Sequence, residues 1–386
     1  CGSSSIKATL FEIKKEPQEL AKILIDGIGL KRCKLSFKAK DKNVGHPVNV
    51  KDYEDGIRAA LFALTKNKTI AKLSEIEAVG HRVVHGGEKY TQATEIDAKL
   101  MKEIEELIPL APLHNPANLE GIKACKKLLP KAKQIAIFDT AFHQTMPEKA
   151  FLYGLPYELY EKHKIRRYGF HGTSHHYVVQ QGLKLLKNKK AKIISCHMGN
   201  GISITASIAG KSVDTSMGMT PLEGPIMGTR SGSIVAGIIF HLNDELKMKP
   251  KEINDLLNYK SGLKGLSEIS PDMRDIYQQS LKKNEKALRT MEVLCYQIAK
   301  HCGAYTAAMN GLDAVVFTGG MGEKAFYLRE SICEYLAFLG LKLNLKANRS
   351  DFPIEISEKK SKVKVFVIPT NEERQIVMET KKQLQH

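Results

Sequence analysis

Ile193-Ile194-Ser195-Cys196-His197-Met198-Gly199-Asn200-Gly201-Ile202-Ser203-Ile204-Thr205-Ala206 is the stretch from which the rest of the chain can be read. Apolar alternation runs in on one side and out on the other, with Gly-Asn-Gly between. Asn and Gly tolerate positive φ, so this reads as two antiparallel strands joined by a tight turn. So little side chain at the turn leaves backbone N–H groups uncovered, and such groups can converge on an anion such as phosphate. On these residues alone, a plain turn and a phosphate-binding turn both remain open.

The start of the chain repeats the pattern. Cys1-Gly2-Ser3-Ser4-Ser5-Ile6-Lys7-Ala8-Thr9-Leu10-Phe11-Glu12-Ile13 is a small-residue turn followed by an alternating strand. Lys7 stands on the outgoing strand, where an ammonium can reach a phosphate held at the turn. Two such hairpins predict two similar halves facing one another across a cleft. That duplication resembles the superfamily of actin, sugar kinases and heat-shock chaperone ATPases. The strand–glycine–helix stretch Ala314–Glu323, with a helix over 325–336, would serve the nucleoside.

Composition narrows the classes. At 386 residues two domains are expected, and 42% hydrophobic with 26% charged residues is a globular balance. No apolar run approaches the roughly 18 residues of a membrane span. Seven cysteines (1, 33, 125, 196, 295, 302 and 333) form no C-x-x-C pair and read as reduced cytoplasmic thiols, not a disulfide frame or zinc site. A lipidated Cys1 competes with the loss of a few leading residues; the hairpin, lacking only its incoming strand, favours the second. The net charge of +17 points to anionic partners. The lysines are dispersed and not interleaved with aromatic residues, so no nucleic acid is expected.

Along the chain, 31–50 reads as a basic strand pair or excursion, 53–66 as a helix and 76–87 as a buried strand ending in glycines. A helix over 98–108 stops at a proline-rich loop. A helix over 117–129 and a strand over 134–138 follow, closing on Asp139. The lysine-rich 181–192 and 244–262 read as connections. Domains are expected over 1–145, completed by a C-terminal helix near 372–386, and over 146–371. After a strand at 363–368, Thr370 as N-cap with Glu373 at the third helical position reads as a capping box, leaving Glu372 free. A carboxylate is the ligand type Mg²⁺ prefers.

Several residues carry chemistry beside a bland alternative. Arg82, in an apolar strand, either pairs structurally or presents its fork to a carboxylate or phosphate. Arg230, in Gly228-Thr229-Arg230-Ser231-Gly232, has no evident core partner and reads as a ligand contact. His171 precedes His175 and His176, a spacing that admits a metal, but no carboxylates lie nearby to complete one. Asp139 either caps its turn or orients metal-bound water.

Taken together, the stretches 2–7, 80–88, 111–118, 138–147, 166–176, 197–201, 214–232, 272–276, 317–323 and 368–373 resemble the acetate kinase family over nearly the whole chain. The resemblance implies an α/β fold of two duplicated actin-like ATPase (ribonuclease H-like) domains, with mixed sheets flanked by helices and an interdomain cleft. It implies reversible transfer of the ATP γ-phosphoryl group to acetate, with Mg²⁺ or Mn²⁺, in a cytoplasmic homodimer joined through the second domain. Arg82 would hold the substrate, His114 would line the phosphoryl site, and His171 and Arg230 would stabilise the transferring group. Asp139 and Glu372 would organise the metal. Val84, Leu113, Phe170 and Pro221 would line the acyl pocket. ATP would meet Lys7, then His197, Met198, Gly199, Asn200 and Gly201, then Asp272, Met273 and Arg274, and finally Gly320, Met321, Gly322, Glu323 and Lys324.

The chemistry agrees. Phosphoryl transfer needs in-line geometry and positive charge on the equatorial oxygens, and a carboxylate acceptor is already ionised at pH 7. The chain departs from the family at Lys324, where Asn is usual, and at Ser233 and Val235, where aspartates are usual; the family's Asn before Cys1 falls outside this sequence. A propionate or butyrate kinase is the nearest alternative. A chaperone-like ATPase would need a separate peptide-binding domain.

Overall fold

The computed structural model describes residues 1–2, 4–30, 32–40, 42–112, 114–351 and 354–385. The chain divides into two units, Cys1–Ala141 with Asn371–His386, and Phe142–Thr370.

The first unit opens with an antiparallel sheet of β1 (Ser5–Ile13), β2 (Pro17–Asp26), β3 (Cys33–Ala39) and β4 (Lys42–Val48), in that order. Alternate residues Ala21, Ile23 and Ile25 of β2 and Cys33, Leu35 and Phe37 of β3 are buried. Helix α1 (Tyr53–Lys66) covers them with Ile57, Ala60, Leu61 and Leu64, a helical spacing. It starts where expected because the Asp52 carboxylate accepts the Asp55 N–H at 2.9 Å.

A second sheet follows, from β5 (Ala78–Val83), β6 (Thr94–Glu95), α2 (Ala98–Glu106), α3 (Asn115–Leu128) and β7 (Lys133–Phe138). β5 runs parallel to β7 with Arg82 opposite Ile137, and β6 lies antiparallel on the other side of β7. Pro116 sits in the first turn of α3, where its missing N–H costs nothing, so this helix starts two residues before the expected one.

The second unit begins with α4 (Glu148–Phe151), α5 (Tyr157–His163) and α6 (Gly172–Leu186). Then come β8 (Lys192–Met198), β9 (Ile202–Ile208) and β10 (Lys211–Thr215). The helices α7 (Ala236–Asp244), α8 (Pro250–Asp255), α9 (Gly262–Ser267), α10 (Met273–Leu281) and α11 (Glu285–Met309) follow. The unit ends with β11 (Ala314–Thr318), α12 (Gly319–Lys324), α13 (Phe326–Tyr335), α14 (Leu345–Asn348) and β12 (Lys364–Val367). The lysine-rich 181–192 and 244–262 are therefore partly helical, not plain connections.

Its five strands form one mixed sheet in the order β10-β9-β8-β11-β12. Ile193 and Val316 face α6 with Val178 and Val179, while Cys196 faces Cys302 of α11 at 3.9 Å. Covering both faces explains why β8 and β11 read as continuous apolar runs. In both units antiparallel strands come before a parallel pair. In the second, β8 joins the antiparallel β9 and β10 to the parallel β11 and β12. In the first, no strand among the described residues hydrogen-bonds β1 to β5, so the antiparallel β1–β4 and the parallel pair of β5 and β7 stay in separate sheets.

Helix α15 (Glu372–Leu384) returns to the first unit and packs on β5 and β7 as well as β1 and β2. Gly80 lets it approach: a Cβ there would lie 2.4 Å from Thr380 Oγ1 and 2.7 Å from Ile376 Cγ2. The expected capping box at its start is not formed. Asn371 is the N-cap, accepting the Arg374 N–H at 2.9 Å. Thr370 is instead paired with Ser174, hydroxyl to hydroxyl at 2.7 Å. Glu372 and Glu373 are then the first two helical residues, where negative charge suits the helix dipole.

Candidate active site

In the first unit the parallel pairing of β5 with β7 sets Arg82 beside Asp139, the residue that follows β7. Arg82 Nε donates to Asp139 Oδ1 at 2.9 Å and Oδ2 at 3.1 Å, and Nη2 donates to Oδ2 at 2.5 Å. Glu372 Oε2 lies 3.7 Å from Arg82 Nε. Asp139 is 1% exposed, whereas Arg82 keeps 40% of its side-chain surface open. The two carboxylates, Asp139 foremost, hold the guanidinium above its ordinary pKa. Both readings of Arg82 therefore hold at once: its Nε side is paired and the rest of its fork is accessible.

The backbone behind Arg82 is pinned by α3. Asn118 Oδ1 accepts the Val84 N–H at 3.0 Å. Asn115 accepts from the His85 N–H and donates to the His85 carbonyl, both at 3.2 Å. Val84 is buried, and His114 forms the N-cap position of α3 without a side-chain cap. The Gly87 N–H donates to His85 Nδ1 at 3.0 Å, which puts the ring proton on Nε2. Burial lowers the His85 pKa to about 4, so this ring is neutral. Lys7 lies exposed on β1, and its ammonium has no hydrogen bond or ion pair among the described residues. Leu113 lies outside the described residues.

In the second unit the β8–β9 hairpin pairs Met198 with Ile202 and turns through Gly199-Asn200-Gly201. None of the three takes a left-handed φ, which corrects the reason expected for the glycines. Close approach is the reason. A Cβ on Gly201 would lie 3.2 Å from His171 Cε1, 3.4 Å from His171 Nε2 and 3.4 Å from Arg230 Nη2. Those two side chains thus converge on one glycine. A Cβ on Gly228 would fall 2.0 Å from Asn200 Oδ1, and the Gly228 N–H donates to the Asn200 carbonyl at 3.0 Å, so the arginine loop is laid directly on the turn.

Arg230 Nη1 donates to the Pro221 carbonyl at 2.7 Å and approaches Met227 Sδ at 3.5 Å. No carboxylate pairs with it among the described residues, and burial lowers its pKa. A half-buried cation with only neutral partners can receive an anion. His171 precedes α6 with φ +56°, a left-handed conformation that is uncommon for a non-glycine residue. Its Nδ1 bonds Ser203 Oγ at 2.9 Å, and its ring lies 4.2 Å from that of His197. His197 Nδ1 bonds Ser174 Oγ at 2.8 Å. The two imidazoles are thus held through Nδ1 by serines, each with Nε2 near a glycine of the turn.

The other expected positions are more structural than contact-forming. Met198 and Met273 are buried, leaving only their backbone to meet a ligand, and Phe170 is buried with its carbonyl accepting from His143 Nε2 at 3.0 Å. Asp272 caps α10 and is paired with Arg274, Nη2 to Oδ2 at 2.6 Å. Gly320, Met321, Gly322, Glu323 and Lys324 form α12, not a loop; Gly319 at φ +75° turns that helix directly against the Met198 backbone. His176 stacks on Phe142 and His175 bonds serines, so the histidine run is not a metal cluster.

Sequence reasoning missed the supports. Arg329, 1% exposed, donates to the carbonyls of Gly322, Glu323 and Asn348 and to Asn348 Oδ1, fixing the end of α12. Arg167 donates to the Thr215, Ser216 and Met217 carbonyls and to Glu223, fixing the loop that supplies Pro221. An arginine followed closely by small residues was the available signal for Arg167; Arg329 had none. Among the described residues no group of three metal-ligating side chains could hold an ion unaided. The neighbouring carboxylates Asp139 and Glu372 do fit Mg²⁺, which is commonly bound by one or two carboxylates plus phosphate and water.

The model of the acetokinase family matches residues 1–378. Acetate kinase of Halothermothrix orenii is 50% identical over 98% of this chain and 96% of its own length. Acetate kinase of Thermotoga maritima is 50% identical with the same coverage. The crystal structure of Porphyromonas gingivalis acetate kinase matches with TM-score 0.93 at 43% identity, covering 100% of this chain and 98% of its own. A propionate kinase from Francisella tularensis also matches with TM-score 0.93 at 43% identity, over 98% of this chain and 97% of its own. With a whole-chain family match, close relatives and shared three-dimensional structure all agreeing, the chain belongs to the acetokinase family.

Proposed function

We propose that the protein is an acetate kinase, transferring the γ-phosphoryl group of ATP to acetate and, in reverse, from acetyl phosphate to ADP. The observation that carries this is Arg230, a half-buried cation lacking a carboxylate partner and facing the Gly201 turn together with His171. In the transfer step His171 and Arg230 donate to the phosphoryl oxygens as charge develops on them. Arg82, oriented by Asp139, takes the carboxylate of the acceptor. Asp139 and Glu372 would hold Mg²⁺ or Mn²⁺, which would supply positive charge beside the transferring phosphates. Because no nucleophile must be generated from a protein side chain, transfer is direct. ATP lies along His197–Gly201, the start of α10 and α12.

A coupled assay trapping acetyl phosphate as the hydroxamate tests this. Arg230→Ala and Arg82→Ala should each lower kcat/KM by about 10²–10³; activity within tenfold of the parent in both would remove the proposal. The propionate kinase likeness makes a longer acyl substrate the second reading, and parallel propionate assays decide it.

We further propose a cytoplasmic homodimer joined through the second unit. Helix α7 has no buried residue, and Val235, Ile238, Phe240 and Leu246 are 42–69% exposed around it. Light scattering should give twice the chain mass, and Phe240→Asp should halve it. No helix among the described residues is long and apolar enough to cross a membrane. We propose small anions, not nucleic acid, as the partners of the basic surface; a filter-binding assay at physiological salt checks this.

A further inference from the structure

Behind His171 runs a row of three polar side chains from one helix and two strands. Ser195 Oγ of β8 lies 2.7 Å from His175 Nδ1. His175 Nε2 lies 2.7 Å from Ser203 Oγ of β9, and Ser203 Oγ lies 2.9 Å from His171 Nδ1. Ser195, His175 and Ser203 are fully buried. No part of the phosphoryl transfer described above uses Ser195, His175 or Ser203.

Hydrogens can be counted along this row. His175 is neutral, its pKa lowered well below the usual value by burial and by the neighbouring His143 and His197. A neutral imidazole has one N–H, and each serine has one O–H. If both rings donated to Ser203 its own hydrogen would have no acceptor, so with all three links made the row points one way throughout. If it points toward His171, Ser195 donates to His175 Nδ1, His175 Nε2–H donates to Ser203, and Ser203 donates to His171 Nδ1. If it points the other way, His175 donates to Ser195. The Ser195 hydrogen then loses its acceptor, since His175 is the only hydrogen-bond partner of that hydroxyl among the described residues. A buried hydroxyl hydrogen without an acceptor bears its full desolvation cost, so the first direction wins.

We propose that Ser195, His175 and Ser203 are positioning residues that hold His171 as the neutral Nε2–H tautomer. The imidazole then offers an N–H toward Gly201 without carrying charge. This suits the electrostatics: Arg230 reaches the same glycine, and the His197 ring lies 4.2 Å away, so a cationic His171 would face one fixed cation and one titratable ring. A neutral donor keeps its hydrogen bond across the pH range where a free histidine loses a proton. The role at a phosphoryl group rests on the proposed reaction; the tautomer does not.

The full chain with ¹⁵N-labelled histidine, studied by long-range ¹H–¹⁵N correlation, reads the tautomer directly. The His171 signals are identified by their loss in His171→Ala. At pH 7.5 the unaltered protein should show His171 neutral with its proton on Nε2. Ser195→Ala should mix the two tautomers and move the protonation midpoint of His171 upward, because His175 Nδ1 then lacks a partner in either direction and the row is no longer biased by a stranded serine hydrogen. Ser203→Ala should lower kcat by about tenfold while KM for ATP moves by less than about twofold. A proton on Nδ1, or a doubly protonated His171 at pH 7.5, in the unaltered protein overturns the proposal. An unchanged tautomer in a folded Ser195→Ala chain does the same. A correct tautomer in a chain without acetate-dependent activity would instead count against the proposed reaction.

Discussion

Arg82 and Asp139 form a two-pronged ion pair in which both carboxylate oxygens accept from the guanidinium, at 2.9 and 3.1 Å from Nε and 2.5 Å from Nη2. Asp139 is almost fully enclosed while Arg82 is partly open. The pair is therefore asymmetric: the aspartate depends on the arginine for charge compensation, and the arginine still has surface to offer.

That asymmetry separates stability from activity. Arg82→Ala leaves an enclosed carboxylate unpaired, a loss on the order of 3–5 kcal/mol for a buried pair. The exposure of Arg82 lets water reach the site, so the lower end applies. Removing both in Arg82→Ala/Asp139→Ala should restore stability toward the parent in urea unfolding while activity stays at or below that of Arg82→Ala. A double variant no more stable than Arg82→Ala would show that the pair does not hold Asp139 in place.

Gly201→Ala should leave the hairpin intact, because Gly201 does not use a left-handed φ. Its methyl would press on His171 and Arg230 at 3.2–3.4 Å, tighter than most carbon contacts. The expected result is a Tm near the parent's with kcat reduced by about tenfold or more. Gly228→Ala should be worse, since its methyl would collide with Asn200 Oδ1 at 2.0 Å and the loop carrying Arg230 would have to lift. Thermal unfolding alongside the hydroxamate assay separates the two effects.

How much of this was legible in the sequence follows from how far apart the partners lie. Helix α1 was read to the residue because its cap, its apolar spacing and its end are all local. The hairpin was also found, but its glycines were credited with a left-handed φ, when the reason is a close approach by residues from elsewhere in the chain. Arg82 and Asp139 are 57 positions apart and meet only through the parallel register of β5 and β7. The Ser203–His175 link spans 28 positions and depends on α6 lying across β8 and β9. At the last helix two polar residues competed for the cap. Asn371 took it because Thr370 was already engaged with Ser174, a contact across 196 positions.

Two neutral histidines, His85 buried and His81 half-buried, set a pH dependence of stability. Burial lowers His81 to about 4 despite its bond to Gln134, and His85 to about 4 as well. In the unfolded chain both titrate near 6.5. Between those values the unfolded state binds more protons, so stability rises with pH there and is level above about 6.5. Each group contributes a slope of at most about 1.4 kcal/mol per pH unit. Urea unfolding at pH 7, 6 and 5 should show the decline, and His81→Gln should reduce its slope by up to one proton. A stability profile flat from pH 7 to 5 would mean these rings are already accessible to protons in the folded state.

We propose that acyl-chain preference turns on Val84, whose backbone is pinned by Asn118 and whose side chain is buried. A branched residue on a fixed backbone cannot swing aside, so an acyl chain one methylene longer must displace it. One methylene in such a pocket is worth only about 1–3 kcal/mol, so the difference is a preference and not an exclusion. The kcat/KM for acetate should exceed that for propionate by a factor within that range. Val84→Ala should narrow the gap, chiefly by raising the value for propionate, because the space it opens serves the longer substrate alone. Equal values for the two acids in the unaltered enzyme would mean that Val84 does not set the pocket's depth.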